Sequence, residues 1–77
     1  MKSLRGKWHR AVVTVIVATR REASLTQDQL AVRIGLHRSK IARIESGERR
    51  LDVAEFITIA GALAIEPAAL LSRVLRW

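Results

Sequence analysis

The chain has no cysteine and no tyrosine, one proline, one methionine and four glycines in 77 residues. Without cysteine there is no disulfide staple and no thiolate metal site. The two histidines, His9 and His37, stand too far apart for the ligand spacing of a zinc site. No metal and no cofactor is therefore expected. Linkers, repeats and low-complexity tracts are also missing, so residues 1–77 read as a single domain. The apolar run Ala11–Ala18 is eight residues broken by Thr14, against about 20 needed to cross a bilayer. The basic segment before it imitates a secretory leader. Thr19-Arg20-Arg21-Glu22 follows, however, where a small-x-small cleavage site would stand. A buried helix with a basic entry is expected instead, in a cytoplasmic protein with no membrane partner.

Acidic residues are scarce. Seven Asp+Glu stand against fourteen Lys+Arg, for a net charge of +7, beside a hydrophobic fraction of 49%. That pairing describes a folded basic domain, not a disordered basic tail. Residues 1–25 hold six basic and one acidic group (+5), residues 26–50 six and three (+3), and residues 51–77 two and three (−1). A surface facing a polyanion is implied in the first two thirds. Nucleic acid leads, ahead of an anionic membrane and a small anionic substrate, and no small-molecule ligand is evident. Catalytic chemistry is missing as well. His9 has no positioned nucleophile, and there is no close carboxylate pair and no phosphate-loop glycine pattern. Glu45, Glu48 and Asp52 read as solvated charge around a loop, so no enzyme is expected.

What is present is helical periodicity. Val12-Val-Thr-Val-Ile-Val17 is β-branched and would favour a strand in isolation. Yet Trp8, Val12, Val13, Ile16, Val17 and Arg20 share one helical stripe, and no partner strand occurs, so a helix over 7–22 is predicted. Thr26 with Gln29 forms a capping box, Asp28 suits the positive helix end, and Gly35 suits a left-handed stop. A second short helix over 38–46 buries Ile41 and Ile44 and stops at Gly47. Asp52 caps a helix over 53–64 that offers Val53, Phe56, Ile57, Ile59, Ala60 and Leu63 to the core. Pro67 opens a last helix over 67–76. The fold class is all-α: a bundle of five short helices.

Residues 27–46 carry the most specific pattern. Two short helices flank a turn containing Gly35, which is how helix-turn-helix units are built. Ala31 is small where the second helix crosses, while Leu30, Ile34, Leu36, Ile41 and Ile44 pack the elbow. With these residues in view, residues 20–71 resemble the Cro/phage-repressor-type helix-turn-helix domains, the xenobiotic-response-element family. The resemblance rests on Leu25-Thr-Gln-Asp-Gln-Leu-Ala31, Gly35-Leu36, Ile41-Ala-Arg-Ile-Glu-Ser-Gly47 and Arg49-Arg50-Leu51-Asp52. It continues through Glu55-Phe56, Ala60, Ala62-Leu63 and Pro67 to Leu71. Two positions depart from the family pattern. Ser24 stands where many members close the first helix with glycine, a change expected to be neutral, and His37 replaces the usual Ser or Thr cap.

The resemblance implies a lambda-repressor-like DNA-binding fold, with the helix over 38–46 in the major groove of double-stranded DNA. Arg38 and Arg43 then become base readers, since a guanidinium fork matches guanine O6 and N7. Ser39 and Ala42 complete the base-facing set. Gln27, His37, Lys40, Arg49 and Arg50 are expected on phosphates, fixing register and not sequence, although Arg49 or Arg50 has Glu48 and Asp52 as alternative partners. The resemblance also places a structural ion pair between Arg20 and Glu45.

A chain this short buries only about 60% of its unfolded surface, and with disulfides and metals excluded, association is the staple left. The last helix carries Leu70, Val74 and Trp77 on one stripe, with Leu71 and Leu75 beside it, more than one small core needs. A homodimer interface at Leu70, Val74, Leu75 and Trp77 is expected. The sequence thus predicts a sequence-specific, nucleoid-associated transcriptional regulator of prokaryotic or phage type. The alternative is an antitoxin-type autorepressor that also binds a toxin partner.

Overall fold

The computed structural model describes residues 2–77, with side chains from Gly6 onward. The chain forms α1 (Lys2–Glu22), α2 (Gln27–Ile34), α3 (Arg38–Glu45), α4 (Val53–Ala62) and α5 (Pro67–Arg76). No strand occurs among the described residues. The β-branched run is helical, as the periodicity requires, but α1 begins at Lys2, earlier than residue 7. Its core face is also rotated from the predicted stripe. Ala11, Val15, Ile16, Thr19 and Arg20 are buried, whereas Trp8 is 39% exposed.

Each helix end has a local cause. Thr26 and Gln29 cap α2 reciprocally, Gln29 N–H donating to Thr26 Oγ1 at 3.0 Å and Thr26 N–H to Gln29 Oε1 at 2.9 Å. Gly35 closes α2 at φ 69°, the left-handed angle that glycine adopts without a Cβ clash. Leu36 N–H then returns to Ala31 O at 2.9 Å. Asp52 caps α4, and Glu55 completes a second box. Pro67 stands in the first turn of α5, where a missing N–H costs nothing. α3 stops at Glu45 and α4 at Ala62, one and two residues short of expectation. At the first of these ends Gly47 is left-handed, at φ 84°, and at the second Ala64 is, at φ 58°. Ser24, after α1, also sits at φ 58°, a strained angle for a residue with a Cβ.

The core has two adjoining parts. Ile16, Leu30, Ala31, Ile41, Ile59 and Leu63 fill the space among α1 to α4. Ala11, Val15, Ala60, Leu70 and Val74 join α1, α4 and α5, with Val12, Phe56 and Ile65 touching both parts. Val53 and Ile57 are not in the core as expected. They are 74% and 51% exposed, because they fall on the side of α4 that no helix covers. Leu70 and Val74, expected at an intermolecular surface, are instead 0% and 2% exposed. They close the domain over α1 and α4, which leaves Leu71 and Leu75 as the outward apolar pair of α5.

Candidate nucleic-acid interface

α3 is tied down at one end and free at the other. Ile41 and Ile44 anchor it to the core, at 1% exposure each. Arg38, Ser39 and Arg43 are exposed and Ala42 is half-buried, so all four predicted base readers lie on or beside the outward face. His37 occupies the N-cap with extended backbone but makes no side-chain capping bond. Its exposed ring and the first amides of α3 therefore both remain available to an acceptor.

The C-terminal end of α3 is held by Glu45. Arg20 approaches it with two donors, Nε to Oε2 at 2.7 Å and an Nη to Oε1 at 2.9 Å. Its other Nη donates to Leu25 O at 2.7 Å. The two side chains are only 9% and 6% exposed. Glu45 holds the Arg20 guanidinium proton more firmly than usual, chiefly through this hydrogen bond and against the opposing effect of burial. The expected ion pair is thus present, and it joins α1, the α1–α2 turn and α3.

Gln27 belongs to the same knot. Its Nε2 donates to Glu45 Oε1 at 2.9 Å, so the side chain expected on a phosphate turns inward. Its backbone amide, at the start of α2, is the group of Gln27 left to meet an acceptor. Arg49 is also engaged: its two Nη atoms meet Glu55 at 3.0 and 2.7 Å. Glu55 is lowered from 4.5 to about 2 by that pair and by the Asp52 N–H, with a smaller contribution from nearby Lys40. Among the described residues neither Glu48 nor Asp52 pairs with an arginine. Glu48 accepts from Ser46 Oγ instead, and Asp52 is used as a cap. Arg50 is exposed, and among the described residues only Arg20, Arg49 and Arg73 form ion pairs with carboxylates.

Several supporting contacts had no clear sequence signal. His9 Nε2 lies 3.3 Å from Gly47 O, bringing the middle of α1 against the exit of α3. Arg33 donates to Ala62 O at 3.0 Å, completing the end of α4. Arg73 reaches Thr19 and Glu22, clamping α5 on α1. The Glu55 contact was half legible, since Asp52-Val-Ala-Glu55 is a capping-box pattern.

Two crossed short helices, a left-handed glycine between them and an exposed, acid-free start to the second define a helix-turn-helix domain of the DNA-binding regulator class. The helix-turn-helix family model matches residues 16–70, and the chain belongs to that family. Its structure superposes on an XRE-family like protein from Pseudomonas syringae pv. tomato str. DC3000 at TM-score 0.90, with 33% identity over 97% of this chain and 92% of that one. The wild-type restriction-modification controller protein C.Esp1396I gives 0.85 and 26%, over 90% and 88% of the two chains. The clp gene regulator ClgR from Corynebacterium glutamicum, at 16% identity and TM-score 0.82 over 90% and 73%, shares the fold. No curated protein matches the chain by sequence. Among the described residues no cluster of three or more metal-binding side chains occurs, and no single helix is long and apolar enough to cross a membrane.

Proposed function

We propose that the chain is a sequence-specific transcriptional regulator that lays α3 in the major groove of double-stranded DNA. The observation that carries this reading is the unequal treatment of α3: a rigidly clamped C-terminal end and an exposed N-terminal end bearing Arg38 and Ser39, with Arg43 a turn further on. A helix held this way presents its first turns to base edges in a fixed pose. Arg38 and Arg43 supply guanine-matched forks, while His37, Lys40, Arg50 and the amide of Gln27 set register on phosphates. Arg49 is better suited to shaping the loop that presents Arg50. C.Esp1396I, a relative in fold and sequence, has been crystallised as a tetramer in complex with its natural 35 base-pair operator, which supports DNA as the partner.

The same reading makes the protein a homodimer. Leu71 and Leu75 are 47% and 61% exposed on one flank of α5. Ile57 of α4 falls on the side of that helix nearer Ala60, the α4 residue packed against α5. These residues replace Leu70 and Val74 as the apolar interface. A two-fold pairing would set two recognition helices about 34 Å apart, one DNA turn. Selection from a random duplex pool is expected to return a palindrome with half-sites about 10 base pairs apart. Sedimentation should show a dimer that Leu75→Glu dissociates with the helix content kept. An unselected pool together with a monomeric wild type at tens of micromolar, roughly where weak interfaces form, would reject the reading.

A further inference from the structure

A groove of about 600 Å³ runs between the first half of α1 and the end of α5, away from α3. Its floor is small and uncharged, formed by Ala11 and Thr14, and its walls are Trp8 and Trp77. Lys7, Arg10 and Arg76 line it, Leu75 of the proposed dimer surface forms its rim, and no acidic residue lines it. Lys7 Nζ sits 5.4 Å from the centre of the Trp8 ring, a cation already resting on an aromatic face. Beyond Trp77 and Arg76 lies a hollow of about 230 Å³ over Val15 and Ala18, where Glu22 stands beside Arg73 and Arg76. From Lys7 to Glu22 this face of α1 extends about 22 Å.

We propose that this groove docks an acidic amphipathic helix of another protein. Charge decides against a second copy seated inside this groove, because the copy's own Lys7, Arg10 and Arg76 would face the same cations, so the dimer proposed above meets the groove only at its Leu75 rim. Shape favours an elongated occupant, since the groove follows two helices and a further hollow lies beyond it over Val15 and Ala18. An acidic helix with leucines on one face satisfies both features. Its apolar side chains would lie between the tryptophans, and its carboxylates would meet Arg10, Arg76 and Lys7. At roughly 100° per residue, Thr14 and Ala18 lie about 120–180° around α1 from His9 and Arg20, the residues that contact the α3 region. The partner and DNA would therefore occupy opposite sides of the domain, so one need not displace the other.

The chain's two tryptophans, Trp8 and Trp77, both line the groove, so their fluorescence reports occupancy directly. The probe is a synthetic peptide of about 16 residues, the length of helix that spans the groove. It carries leucines at i, i+3, i+4 and i+7 and glutamates elsewhere. Saturable quenching or shift is expected with this peptide. Binding should be at least about tenfold weaker when its glutamates become lysines or its leucines become serines. Arg10→Gln/Arg76→Gln should weaken the acidic peptide by about tenfold with the helical spectrum unchanged. The Trp8 and Trp77 indole N–H resonances should move, and the α3 amides should not. Equal binding of the lysine or serine peptide, indifference to the double substitution, or displacement of the peptide by a short duplex would overturn the proposal. A larger response to anionic vesicles than to the peptide would do the same. Only the competition contains DNA, so failure of the groove leaves the DNA-binding reading standing, and failure of that reading leaves the peptide result intact.

Discussion

The two arginine–glutamate pairs at the C-terminal end of α3 and just beyond it have the same chemistry and different consequences. At its C-terminal end, Arg20 and Glu45 are both below 10% exposed and share Gln27 and the Leu25 carbonyl. Just beyond, Arg49 and Glu55 meet at the same 2.7 Å but are 30% and 21% exposed. Distance alone does not distinguish them; water does. A buried charge that loses its partner cannot be rescued by solvent, whereas a half-exposed one can. The first pair therefore fixes where α3 points, and the second shapes the loop that leaves it.

The largest effect should come from breaking the buried pair on one side. Glu45→Ala leaves the Arg20 guanidinium buried without its carboxylate, and thermal melting should show a loss of about 3–5 kcal/mol. Arg20→Met/Glu45→Leu removes both charges and should recover most of that loss, while binding DNA less well because α3 is no longer oriented. A double substitution as unstable as Glu45→Ala would show that packing, not charge, holds the joint.

A smaller, pH-dependent effect belongs to the second pair. Folding lowers Glu55 from 4.5 to about 2, so the unfolded chain binds more protons over that interval and stability rises with pH. The contribution is complete above about pH 5 and fades as pH falls towards about 2. Glu55→Gln should flatten the melting-temperature profile in that acid window, lowering the melting temperature at neutral pH and changing it little at about pH 2. A parallel profile for the variant would remove this pair from the acid response.

The smallest effect lies in the turn that presents Leu25 O to Arg20. Ser24 is left-handed at φ 58°, which costs about 1–2 kcal/mol for a residue with a Cβ. Glycine would relieve that strain but adds about 0.5–1 kcal/mol of backbone entropy. Ser24→Gly should therefore stabilise by up to about 1.5 kcal/mol, measured in urea, where the sequence alone suggested neutrality. Destabilisation would mean that the serine side chain offsets the strain.

The starts of α2 to α5, the left-handed Gly35 and the elbow of the motif were legible because their causes are local: caps, a missing Cβ and 3.6-residue spacing. The Arg20–Glu45 pair was legible only through family resemblance, since the residues lie 25 apart in the chain. The inward turn of Gln27 was not legible. The same side chain at a helix start serves a phosphate or a neighbouring carboxylate equally well, and tertiary proximity chose Glu45. The division of α5 into a Leu70/Val74 stripe and a Leu71/Leu75 stripe was legible, but Trp77, expected with the first, is 73% exposed. Which of them faces the core depends on how α5 crosses α1 and α4, and periodicity carries no such information.

The most direct test of the central claim, that the free end of α3 reads bases while its neighbours grip the backbone, compares two arginines that are both exposed. Arg38→Ala and Arg50→Ala are titrated against the selected operator and a scrambled duplex at several salt concentrations. Arg38→Ala should lose about 1–3 kcal/mol on the operator, with preference relaxed at one base position and little change on the scrambled duplex. Arg50→Ala should weaken both duplexes alike and flatten the salt dependence. Equal losses on both duplexes for Arg38→Ala would contradict the account.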